Sequence, residues 1–176
     1  MKVFAYLDLQ HPALAWAIMR GVLVSADRAP HSTPAFASFM IAGLFQYQCN
    51  QRLSNETVIE HARSQNFQNC ISRLRGMYFF ESQSSAQSAI DEKWGGHFRT
   101  ENLVELELVT HGLITRVDAK WITYAPRVEN GRLSLSDISW IKKYWSGEQY
   151  NDKPTWELIA SSEALVLTAS AKSYWI

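Results

Sequence analysis

The sequence has no charge of one sign to spare. Seventeen Lys and Arg balance 17 Asp and Glu over 176 residues, so the formal net charge is zero. That excludes a bulk electrostatic binder of nucleic acid or of anionic membranes and leaves only local patches. Cysteine is scarce: Cys49 and Cys70 make no disulfide framework and no zinc-like spacing, so both read as small reduced residues of a cytoplasmic protein. No apolar run reaches the ~18 residues needed to span a bilayer. The opening residues, with Asp8 and then Arg20, do not read as a signal peptide. No glycine-rich phosphate loop follows a strand, because Gly95-Gly96 lacks both further glycines and a Lys-Ser or Lys-Thr pair. The five histidines, at 11, 31, 61, 97 and 111, form no i, i+4 pair, and no Gly-X-Ser-X-Gly elbow occurs. These absences disfavour a Rossmann or P-loop enzyme, a zinc hydrolase and an α/β-hydrolase, and predict no metal.

Aromatic residues, by contrast, are plentiful at 12%, and 47% of the chain is hydrophobic, enough for one globular core. Alternation predicts a strand over residues 2–9. Pro12 and Gly21 bracket a helix whose buried side carries Leu14, Trp16, Ile18 and Met19. Residues 25–34 read as a loop, and the apolar spacing from Phe36 to Tyr47 predicts an amphipathic helix. A second helix is expected from Asn55 to about Ser64, with Asn55 as its cap and Glu56 in its first turn. Then follow an aromatic strand at 77–80, a helix at 82–93 ended by Gly95-Gly96, and strands at 103–109 and 113–117. A helix at 134–145 buries Leu135, Ile138, Ile141 and Trp145, and Gly147 stops it. Two last strands are expected at 156–160 and 164–168. No linker or repeat divides the chain, and helices and short strands do not alternate. The fold class is α+β in a single domain, residues 1–176.

Two groupings carry candidate chemistry. Glu105 and Glu107 share one strand face, either as a carboxylate pair for glycoside chemistry or as the solvent face of an edge strand. Arg73 lies just ahead of the strand holding Tyr78. An arginine can grip a phosphate through paired hydrogen bonds, and a tyrosine can stack on a flat ring such as nicotinamide or adenine. The plainer reading is a capped loop and an aromatic core strand.

Four stretches together carry a resemblance: VFAYLDL with the helix ALAWAIMRGVLVS; SRLRGMYFFESQSSAQSAI; NLVELELV with ITRVDAKWI; and YWSGEQYNDKPTWELIASSEALVL. In this arrangement the chain resembles the ADP-ribosyltransferase superfamily over most of its length. The resemblance implies a split β-sheet core with flanking helices and NAD as substrate. It implies transfer of ADP-ribose to a macromolecular acceptor, protein or nucleic acid, with release of nicotinamide. By position Tyr78 would stack on nicotinamide and Glu157 would be the catalytic glutamate, with Tyr6 and Arg73 lining the same NAD cleft. Glu157 sits in an apolar strand between Trp156 and Leu158. A carboxylate there would stabilise the oxocarbenium-like state of glycosidic cleavage. The chain departs from the family where the first strand reads Tyr6-Leu7-Asp8, with His11 three residues on, and in having no Ser-Thr-Ser triplet. A toxin or a phage–host conflict effector with a cognate antitoxin or inhibitor is the implied role. The alternatives are a non-catalytic interaction module on the same fold and an NAD-hydrolysing toxin of the RES type. Arg52, Arg63, Arg73, Arg75, Lys142 and Lys143 would supply a patch for a nucleic-acid acceptor.

Overall fold

The computed structural model describes residues 1–8, 10, 12–29, 50–91, 98–109, 113–134 and 136–167. The helix expected over 36–47, the Gly95-Gly96 stop, the Gly112 turn, Leu135 and Cys49 lie outside them. The described residues form an α+β domain. In chain order they give β1 (Lys2–Tyr6), α1 (Pro12–Met19), β2 (Val22–Val24), α2 (Asn50–Asn66), β3 (Met77–Phe79) and α3 (Gln83–Asp91). Then come β4 (Leu103–Leu108), β5 (Ile114–Asp118), α4 (Lys120–Thr123), α5 (Ser139–Trp145), β6 (Trp156–Ala160) and β7 (Glu163–Val166). Among them no helix is long and apolar enough to cross a membrane.

The strands make two antiparallel sheets, ordered β1-β4-β7-β2 and β3-β6-β5. Side chains alternate across each strand, so each sheet has two distinct faces. Val3, Ala5, Leu23, Val104, Leu106, Leu108 and Ala164 of the first sheet meet Met77, Phe79, Leu158 and Ala160 of the second in one core. Leu14 and Ile18 of α1 close it. The opposite face of the second sheet, with Val117 and Ile159, packs against Ile59 of α2 and Ile141, Tyr144 and Trp145 of α5. The order is thus sheet, sheet, helices, and the second sheet is covered on both sides.

Several boundaries differ from the sequence reading. In α1 Leu14 and Ile18, four apart, are buried, and Ala17 packs beside them on the core. Trp16 and Met19 are exposed, because a narrow stripe is all that this short helix buries. Helix α2 begins at Asn50, so Asn55 is not its cap. The Asn55 amide instead donates to the Gly131 carbonyl (3.3 Å) and accepts from the Leu133 N–H (2.9 Å). Helix α5 starts at Ser139, whose N–H donates to the Asp137 carboxylate at 2.9 Å, and Ile138 is exposed. Gly21 and Gly147 have φ of +77° and +73°, the left-handed conformation of a helix stop, as their positions predict. Strand β4 lies inside its sheet, between β1 and β7, and is not an edge.

Candidate functional site

Strand pairing brings the site together. Tyr78 of β3 stands opposite Ile159 of β6, so Glu157, two residues back on β6, is its diagonal neighbour on the same face. That face looks toward α2 and α5. Arg73 enters it from the turn that leads into β3, where the Gly76 N–H donates to the Ser72 carbonyl at 2.8 Å. The Ile71 N–H donates to Thr115 Oγ1 of β5 at 2.6 Å, which fastens this turn to the sheet. Gly76 is required by space: a Cβ there would come within 2.7 Å of Ile71 Cγ2 and 2.8 Å of Ile159 Cγ2.

The Arg73 side chain is buried, and its guanidinium is surrounded. Nε donates to Glu56 Oε2 at 2.7 Å and Nη2 to Glu56 Oε1 at 2.9 Å, a two-point fork. Nη1 donates to the Tyr144 hydroxyl at 2.5 Å and to Glu157 Oε2 at 3.3 Å. The Tyr78 hydroxyl donates to the Arg73 carbonyl, and the guanidinium carbon sits 4.9 Å above the Tyr78 ring centre. Burial pushes the Tyr78 and Tyr144 phenols well above their ordinary values, so both stay protonated. Burial also raises Glu157, with Arg73 opposing and Glu56 adding to the shift. Among the described residues the cluster therefore holds one cation and two carboxylates. Glu56 has the close two-point contact, and Glu157, 8% exposed, is the carboxylate in surplus.

Three of the four residues singled out from the sequence thus meet: Arg73, Tyr78 and Glu157. Tyr6 does not join them. Its hydroxyl donates to the Ala86 carbonyl of α3 at 2.8 Å, and its ring packs edge-on against Phe80 and Phe98. A separate aromatic core explains that placement. The fork of Arg73, expected on a phosphate, is taken up by Glu56. Glu56 and Tyr144 were not singled out as site residues. For Tyr144 the signal was present, because Trp140, Ile141, Tyr144 and Trp145 repeat at one helix face. Glu105 and Glu107 lie on the outer face of the first sheet, where Lys2 pairs with Glu105 at 2.7 Å and stands opposite Glu107.

The approach to Glu157 is fixed by Asp118, which is fully buried at the end of β5. Its Oδ1 accepts the N–H groups of Lys120 and Thr155, both at 3.0 Å, and its Oδ2 accepts that of Tyr150 at 2.8 Å. This one carboxylate ties down the polar loop just ahead of β6. Cys70 is half-buried, its thiol faces the Trp145 carbonyl at 3.5 Å, and burial pushes it above its ordinary value, so it is no activated nucleophile. Among the described residues no group of three His, Cys, Asp or Glu is placed to hold a metal ion.

Fold and site together define an α+β domain organised around a buried arginine shared by two glutamates. Residues 35–174 match the model of a family described as a protein of unknown function (DUF2441), and the chain belongs to that family. Glu56, Arg73, Tyr78, Tyr144 and Glu157 all fall within the matched stretch, whereas Tyr6 precedes it. No curated protein matches the chain.

Proposed function

We propose that the protein is an NAD-dependent ADP-ribosyltransferase whose catalytic group is Glu157. The carrying observation is the surplus carboxylate, buried beside a tyrosine ring on one face of the second sheet. The nicotinamide end of NAD is a cationic ring on a ribose, and a surplus negative charge in a water-poor place favours it. As the bond from ribose C1′ to the ring nitrogen breaks, its electron pair leaves with neutral nicotinamide and positive charge grows on the ribose. A carboxylate that accepts a hydrogen bond from the ribose 2′-hydroxyl opposes that charge. One such group is worth roughly 3–4 kcal/mol, two to three decades in rate. The acceptor nucleophile then bonds to C1′ and loses its proton. Tyr78 offers a ring face and Arg73 tunes the field. The Arg73 fork on Glu56 does not suit a diphosphate-holding role. A protein or nucleic acid in the cytoplasm is the acceptor class, and a cognate antitoxin or inhibitor is a further partner of this reading.

The same ion pairing favours a second reading, a non-catalytic module in which the cluster is a closed polar core. One measurement decides. Purified wild type is incubated with millimolar NAD and nicotinamide release is followed with and without cell extract. Extract-dependent turnover that falls 100-fold or more in Glu157→Gln, with NAD affinity by calorimetry lowered far less than that, supports the transferase. Turnover of equal size with and without extract supports NAD hydrolysis. No binding and no turnover in the wild type leaves the module.

A further inference from the structure

The two glutamates around Arg73 hold it unequally. Glu56 has two contacts of 2.7 and 2.9 Å, and Glu157 has a single contact of 3.3 Å. Glu56 takes the Nε–Nη2 edge of the guanidinium, and Glu157 shares Nη1 with the Tyr144 hydroxyl, so Glu157 is left with one long contact. We propose that Glu56 is a positioning residue: its two-point grip fixes the Nε–Nη2 edge of Arg73, so that Glu157 meets Nη1 alone and stays a carboxylate without a full counter-ion. The inference rests on the transferase reading for its catalytic meaning, though its geometry does not.

The reasoning follows the elements that surround Glu157. Helix α2 supplies Glu56. The turn before β3 supplies Arg73. Strand β3 supplies Tyr78 and helix α5 supplies Tyr144, both kept neutral by burial. Strand β5 ends in Asp118, whose oxygens are held by the amides of Lys120, Tyr150 and Thr155. Further along α2, Glu60 pairs with Arg63 at 2.8 Å. Among the described residues Arg73 is thus the cation in contact with Glu157, and Glu56 is its rival for that cation. Helix α2 is in turn pinned in place, since Trp145 Nε1 of α5 donates to the Ile59 carbonyl at 3.1 Å. The grip is built into the helix packing, and the reacting group is left poised rather than neutralised. A Glu157 fully paired with Arg73 would offer less net field to a developing cation.

The test reads Glu157 directly. Protein labelled with carbon-13 in its glutamate side chains is titrated by NMR, with Glu157→Gln identifying the signal. In Glu56→Gln the guanidinium loses its rival and turns to Glu157, whose midpoint should fall by about one pH unit, a tenfold change in its acid dissociation constant. The acid limb of nicotinamide release should move to lower pH by the same amount, with a lower maximal rate. Glu56→Asp keeps the charge but loosens one contact, and should shift the midpoint in the same direction by less. It serves if Glu56→Gln does not fold. A midpoint that stays or rises in the folded variant overturns the role of Glu56. If the midpoint falls but the wild type turns over no NAD, the positioning stands and the transferase reading fails. An active wild type with an immovable midpoint gives the reverse.

Discussion

Glu157 is held where its charge is disfavoured, and this has a consequence for stability. Its value in the folded chain is raised above that in the unfolded chain, first by burial. The folded state then keeps a proton that the unfolded state has already lost. Stability therefore falls as pH rises from the ordinary carboxylate range through the raised value, and stays lower above it. Glu157→Gln resembles the protonated side chain and lacks that dependence. It should melt above the wild type at pH 7–8, by about 2–4 °C for each kcal/mol released, and the two should converge near pH 4. Thermal melts across that range check this. A variant that melts lower at every pH would mean that Glu157 holds the fold together. At this scale the strand positions of Tyr78 and Glu157 were legible because each sits in a short apolar run, while the roles given to them came from the resemblance. Glu56 was not legible as a site residue. Its helix is largely polar, and its partner Arg73 is a long-range neighbour that no local spacing announces.

Among the elements, the turn at residues 72–76 decides where Arg73 points. It closes against Ile71 and Ile159 with no room for a side chain at Gly76. Gly76→Ala should destabilise the chain by roughly 1–3 kcal/mol, as overpacking of a close-fitting core does, and should lower NAD turnover beyond what the loss of folded protein explains. Urea denaturation alongside activity per folded molecule measures both. An unchanged midpoint and unchanged activity would show that the turn has slack. The sequence placed Arg73 in a loop just ahead of an aromatic strand, and the turn is found there. It did not show where α2 and α5 begin. Asp137 turns back on the Ser139 N–H just before α5, a local contact that the longer apolar period does not register. Within α2, Asn55 looked like a cap, and its real partners lie near Gly131 and Leu133, far along the chain.

At the scale of the whole molecule, strand pairings join distant segments. Lys2 stands opposite Glu107, Val24 opposite Glu163 and Tyr78 opposite Ile159. Non-local pairing of this kind must close long loops before contacts reward it, so refolding should take milliseconds to seconds rather than microseconds. Stopped-flow dilution from denaturant, read by the fluorescence of the Trp residues, checks this, and a microsecond phase carrying the full amplitude would contradict it. Fold class was legible here because the elements do not alternate. The strand pairings within the two sheets were not legible in the residue pattern, because the short connection between β6 and β7 carries the chain from one sheet to the other rather than pairing the two strands.

That crossing between Ala160 and Glu163 has a bearing on synthesis. β6 is the middle strand of one sheet, and β7 joins β4 to β2 in the other. On the ribosome β1, β2, β3 and β5 are all made before either of these two arrives. Until then neither sheet can be completed, and the carboxylate on β6 does not yet exist. A chain stalled before residue 156 holds the partners β1 and β4 but lacks the strand that joins β3 to β5 and the one that joins β4 to β2, so the segment from 156 to 166 closes both sheets and brings Glu157 beside Arg73 in the same event.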